Sequence, residues 1–131
     1  MSIRSTLFAA AAALLVSLAG ASVASAAGST SSCFLANQWS GWHAPNPNVI
    51  YLRVDSNRIY RLDLSAGSSS LQDPGVHLVS RIEGSDWICS PLDLQLEVAD
   101  DMGGLREGLI VKSITLLTPD EVKAIPKRDL P

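Results

Sequence analysis

The sequence predicts a small, mainly β domain: an antiparallel sheet or partly closed barrel of about five strands, followed by a short C-terminal helix. Three observations carry that prediction. The stretch LDLQLEV, residues 92–98, sets Leu92, Leu94, Leu96 and Val98 on one side and Asp93, Gln95 and Glu97 on the other, the period of a half-buried strand. NVIYLRVDSNRIYRLDL, residues 48–64, holds two more alternating runs on either side of Asp55-Ser56-Asn57, which are turn residues. TPDEVKAIP, residues 118–126, has the start and stop signals of a helix of about two turns.

The beginning of the chain stands apart from that fold. It carries Arg4, then an apolar run from Leu7 to Ala19, then Ala24-Ser25-Ala26. Basic flank, apolar core and A-x-A in that order predict a secretory signal cleaved after Ala26, leaving residues 27–131 as a single domain. A membrane anchor is the competing reading, since the apolar stretch approaches spanning length. The alanine-rich core, the interspersed Ser17, Gly20, Ser22 and Ser25, and the missing charged stop favour cleavage. No Leu-x-x-Cys stands at the junction, so a lipid-anchored cysteine is not expected. The expected destination is the periplasm or the medium, with no membrane span after cleavage.

Residues 27–131 hold nine Lys and Arg against thirteen Asp and Glu, a net charge of −4. Mild acidity with scattered arginines argues against nucleic acid as a partner, because that requires a concentrated basic face. Such a length supports one domain with a modest core. The two cysteines, Cys33 and Cys89, stand fifty-six positions apart. In an exported chain they are expected to pair. Closing that loop stabilises the fold by about 4 kcal/mol as an upper bound. Free structural thiols and a catalytic thiol are the alternatives, and the latter needs a base that lowers its pKa, which nothing local supplies. A zinc site needs more ligands, and His43 and His77 lack ligand spacing. No cofactor and no metal are expected.

Each element can be justified in order. Ile50, Leu52 and Val54 form the apolar side of one strand, and Tyr60, Leu62 and Leu64 that of the next. A three-residue loop pairs Val54 with Arg58, Leu52 with Tyr60 and Ile50 with Leu62, whereas a two-residue loop opposes Leu52 to Arg61 and mixes the faces. Asn57 is the loop residue expected to take the left-handed conformation. Val76 to Arg81 follows the turn-rich SAGSSSLQDPG as a further strand. Straight alternation puts Cys89 on the polar side, and Pro91 follows, so a bulge or break is expected at Ser90-Pro91. ADDMGG then links the Leu92 strand to a run from about Leu109 to Leu117, apolar on both parities and therefore expected centrally in the sheet. Thr118 as N-cap, Pro119 at the first helical position and Glu121 three residues on make a capping box, and Pro126 stops the helix. Two turns do not hold alone, so Val122 and Ile125 are expected to dock on the sheet. PKRDLP reads as a loose tail.

CFLANQWSGW, VIYLRV, IYRLDL, VSRIEGSDWICSPLDL and SITLLTPDEVKAIP, in that order, cover most of residues 33–126. They resemble a family of small exported proteobacterial proteins defined only as a domain of unknown function, with IYRLDL, ICSPLDL and LTPDEV the most specific parts. The resemblance implies export and a compact cysteine-stapled domain, and it implies no activity or ligand. It also implies two further cysteines in many members, where this chain reads AGSSSLQ and LREGLIV. Loss of both together fits Cys33 with Cys89 as the remaining pair.

Motifs for chemistry are weak. Serine, aspartate and two histidines allow a Ser-His-Asp triad on paper, but no G-x-S-x-G elbow or equivalent context accompanies them. Asp100-Asp101 matches no calcium loop and reads as a solvated turn. Trp39 and Trp42 in WSGWH offer a sugar or peptide platform, with closure of one end of the core as the favoured alternative. Trp87 is expected to pack on the disulfide. The candidate binding face is the outward side of the first hairpin, where Tyr51 opposes Arg61 and Arg53 opposes Ile59. Its alternative is an ordinary solvated surface whose contacts contribute under about 1 kcal/mol each.

The functional expectation is a non-enzymatic exported domain that binds a protein, an envelope component or a small ligand. An inhibitor of a secreted hydrolase and an enzyme of unrecognised type are the alternatives. The enzyme would require a concave pocket that gathers His43 or His77 with a carboxylate and a hydroxyl.

Overall fold

A computed structural model describes residues 32–131. The expected signal and its cleavage point lie outside the described residues. Nine strands form among the described residues: β1 (Phe34–Leu35), β2 (Trp39–Asn46), β3 (Val49–Val54), β4 (Arg58–Leu64), β5 (Val76–Arg81), β6 (Trp87–Ile88), β7 (Gln95–Asp100), β8 (Arg106–Leu109) and β9 (Val111–Leu116). One helix comes after them, α1 (Pro119–Ala124), with 3-10 turns at Ser69–Gln72, Pro91–Asp93 and Lys127–Asp129. The fold is mainly β as expected, but the strands number nine rather than about five, and no barrel closes. They make a four-stranded antiparallel sheet β2-β3-β4-β9, a three-stranded one β5-β7-β8, and the small pair β1-β6.

The two larger sheets share one core. Ile50, Leu52, Val54, Tyr60 and Leu62 from the first and Leu78, Leu96, Val98 and Leu109 from the second belong to a single buried cluster. Removal of these side chains from water is the main favourable term for so small a domain. The chain passes between the sheets at Ile110, the one residue between β8 and β9. The run from Leu109 to Leu117 is therefore shared between two sheets, and β9 lies at an edge, not centrally as its composition predicts. Being apolar on both parities reflects this corner, where the strand direction changes sheet.

The first hairpin has the expected register, Val54 opposite Arg58, Leu52 opposite Tyr60 and Ile50 opposite Leu62. Its left-handed residue is Asp55 (φ 56°), not Asn57. Asp55 reaches across the loop to Arg58, whose Nε donates to its carboxylate at 3.0 Å, and that clamp holds a conformation few non-glycine residues accept. Tyr60 is fully buried, with its ring 4.8 Å from Phe34 and its hydroxyl accepting from Arg58 Nη1 at 3.1 Å.

Two stretches take shapes that alternation does not foresee. β2 contains a bulge between Trp39 and Gly41, after which Trp42 lies opposite Leu52 while Trp39 lies opposite Val54. Both tryptophans therefore face the core despite a spacing of three, and both pack half-buried against it. In LDLQLEV the break falls later than expected. Pro91–Asp93 is a 3-10 turn, so Leu92 leaves the apolar face and stands 90 % exposed, while Leu94, Leu96 and Val98 remain buried.

The C-terminal helix has its capping box: Glu121 N donates to Thr118 Oγ1 at 3.3 Å, and Thr118 N to Glu121 Oε2 at 2.7 Å. The tail beyond α1 is docked instead of loose. Leu117 N donates to Ile59 O at one side of the four-stranded sheet. At the other side, Pro131 lies over Gly41, where an added Cβ would stand 3.8 Å from the Pro131 carbonyl carbon. The segment after β9 thus crosses the outward face of this sheet, and Ile59, an outward residue, is only 3 % exposed.

Candidate functional site

Local pairing explains the staple. The register of β1 and β6 sets Phe34 opposite Ile88 and Leu35 opposite Trp87, so the next residues outward, Cys33 and Cys89, face each other. They form the disulfide, with Cα atoms 4.3 Å apart. Trp87, expected to pack on the disulfide, lies on the outward parity of β6 and is 51 % exposed. Beyond Cys89, the Asp93 carboxylate accepts from the amides of Cys89 and Ser90 at 3.1 and 2.8 Å and from the Ser90 hydroxyl at 3.0 Å. Those three donors, the Cys89 amide foremost, hold the Asp93 carboxyl below the usual aspartate range.

The predicted hairpin face differs from an open surface. Tyr51 lies between His43 and Arg61 across the strands. Arg61 turns to its own strand neighbour, with Nε 3.0 Å from Asp63 Oδ1, and Ser113 donates to the other oxygen of Asp63 at 3.0 Å. Arg53 donates through Nε to the backbone oxygen of Pro131 at 2.9 Å, and its Nη2 meets the same atom. Arg53 is thus a latch for the C-terminal segment. Of the two histidines, His77 lies exposed near the start of β5 beside Asp101, Nδ1 to Oδ1 3.0 Å, which accounts for one of the paired aspartates.

His43 sits in a different setting. A cleft of about 540 Å³ opens along the unpaired edge of β2, lined by Trp42, His43, Ala44 and Pro45 on that strand. Leu71, Gln72, Asp73 and Val76 form a second wall, and Arg128 and Asp129 a third. Each wall has a local cause. Pro45 lacks an amide donor, which discourages another strand from adding to the edge, and Gln72 Nε2 donates to the Pro45 carbonyl at 3.3 Å. Gly67 lets the preceding loop approach: a Cβ there would lie 2.2 Å from Asn48 Oδ1. The latch at Arg53 holds the third wall, where Asp129 Oδ1 stands 3.6 Å from both His43 Nε2 and Arg128 Nε.

The cleft therefore combines an indole and aliphatic surface with an imidazole, a carboxamide, two carboxylates and a guanidinium. It gathers His43 with carboxylates, as the enzyme reading requires, but its lining contains no hydroxyl or thiol for that histidine to activate. Among the described residues no three His, Cys, Asp or Glu side chains group as a metal site. Nor is any helix among them long and apolar enough to cross a membrane. Sequence patterning carries no signal for Gln72, Asp73, Arg128 and Asp129, because distant segments supply them. Comparison with known proteins gives no match, whether to a family model, a curated protein sequence or a solved structure.

Proposed function

We propose that this protein is an exported, non-enzymatic binding domain whose β2-edge cleft takes a small saccharide of the cell envelope or its surroundings. The observation that carries the reading is the lining of that cleft, with Trp42 and Val76 beside His43, Asp73 and Asp129. A sugar ring presents C–H groups on its face and hydroxyls around its rim, so it needs an apolar wall and several polar groups at once. The volume lies in the range of small-molecule sites, and a few convergent polar groups in a partly apolar cleft are their usual composition. The charged groups are of both signs, which suits a neutral polyhydroxyl ligand better than a strongly ionic one. The leader-like start of the sequence and the Cys33–Cys89 pair support export.

Isothermal titration of a panel of neutral and acidic mono- and disaccharides tests this. At least one sugar should bind, and Trp42→Ala and Asp129→Asn should each weaken it about tenfold or more without unfolding the protein, since each removes a contact and leaves its counterpart unpaired. Absence of binding across the panel, or binding indifferent to both substitutions, rejects the reading.

A further inference from the structure

The segment after β9 is held on the sheet by little. No residue beyond Val111 is fully buried, so apolar burial anchors it weakly. Its 3-10 turn at Lys127–Asp129 packs against β2. Among the described residues, polar contacts tie residues 126–131 to the sheet at two places. Arg53 Nε donates to the Pro131 backbone oxygen at 2.9 Å, and His43 Nε2 stands 3.6 Å from Asp129 Oδ1. Arginine keeps its charge throughout, so the first tie is constant. Histidine is the side chain whose charge ordinarily changes between about pH 5 and 8, so the second is not.

The geometry makes that second tie depend on charge. At 3.6 Å the His43–Asp129 contact is too long for a hydrogen bond, which leaves attraction between an imidazolium and a carboxylate. Arg128 Nε is equally near Asp129 Oδ1, but that pair lies within the segment and the Arg128 side chain is 85 % exposed. It moves with the segment and fastens nothing to β2. Asp73 faces the same cleft from the loop before β5. On β3 Tyr51 lies opposite His43, and on β4 Arg61 is engaged by Asp63, Nη2 to Oδ1 2.9 Å. Asp129 is the carboxylate that meets the imidazole. We infer that the C-terminal segment is a pH-sensitive strap, which the His43 imidazolium draws onto β2 through Asp129 and which loosens when that proton leaves. Protonation and docking favour each other, because the imidazolium gains this carboxylate only with the segment down. The attraction is present in mild acid and is lost as rising pH deprotonates the ring. Since Arg128 and Asp129 form the third wall of the β2-edge cleft, release of the strap opens that side of it.

Millisecond hydrogen–deuterium exchange of the protein purified from cells expressing the full chain, disulfide intact, tests the strap without any ligand. Its outcome is therefore separate from that of the saccharide titration. Each rate is divided by that of a free peptide of residues 119–131 at the same pH, which removes the intrinsic pH dependence of exchange. Protection at residues 128–130 should be about threefold higher at about pH 5.5 than at about pH 8, the scale of a partly exposed ion pair. The change should follow the titration of the His43 ring protons. His43→Gln and Asp129→Asn, each checked by a melting curve, should both abolish it. His77→Gln, at the histidine beside Asp101, should leave it intact. Wild-type protection that does not vary with pH overturns the inference. So does a pH dependence that survives either His43→Gln or Asp129→Asn, or one that His77→Gln removes.

Discussion

Single carboxylates and hydroxyls set two of the turns, and both can be tested. Thr118 accepts from Glu121 N at the start of α1. Thr118→Ala should lower stability by about 1 kcal/mol, read from a denaturant melt, as for loss of other N-caps. Asp93 offers a pH test. Its carboxyl titrates low because the Cys89 and Ser90 amides and the Ser90 hydroxyl favour the charged form. A depressed folded-state pKa contributes stability above the unfolded value, and that contribution is lost as pH falls through the folded value. Carboxyl carbon NMR should place the Asp93 midpoint below about 3.9, the ordinary aspartate value; a midpoint at or above it would contradict the turn. Capping at Thr118 is legible in the sequence because all its parts lie within four residues. The left-handed loop residue is Asp55 and not the expected Asn57, because composition alone does not reveal that Arg58 clamps Asp55.

Between residues and the whole fold, the elements show where periodicity works. It locates the β3–β4 hairpin and β5, whose register and bounds agree with the sequence pattern. It misses β2, because a bulge, Gly41 and Pro45 scramble its alternation, and it reads β8 only at its last residue, Leu109, because Arg106, Glu107 and Gly108 leave no apolar mark. Core and surface predictions separate accordingly. Leu62→Ala, at a fully buried site in β4, should cost about 3 kcal/mol. Trp87→Ala, on the exposed side of β6, should change stability by no more than about 0.5 kcal/mol despite the larger side chain. Arg53→Ala should free the C-terminal segment, seen as faster amide exchange at residues 127–130 while β3 and β4 stay protected. That variant should also weaken any ligand in the β2-edge cleft, because Arg128 and Asp129 form one of its walls.

At the scale of the whole molecule, two packed sheets, a crossing C-terminal segment and one staple make the domain. Replacing Cys33 and Cys89 by serine together should lower stability by up to about 4 kcal/mol, because the open chain regains its loop entropy. The class of fold and the staple can be read from the sequence, since both depend on pattern and count. The cleft cannot: His43, Asp73 and Asp129 converge only after β2, the loop before β5 and the tail have been packed together. The most direct test of the proposed role is a map of backbone amide shifts as saccharides are titrated into the protein. The account predicts shifts concentrated at residues 42–45, 71–76 and 128–129. Saturating shifts confined to Tyr51 and Arg61, or no shifts with any sugar, would contradict it.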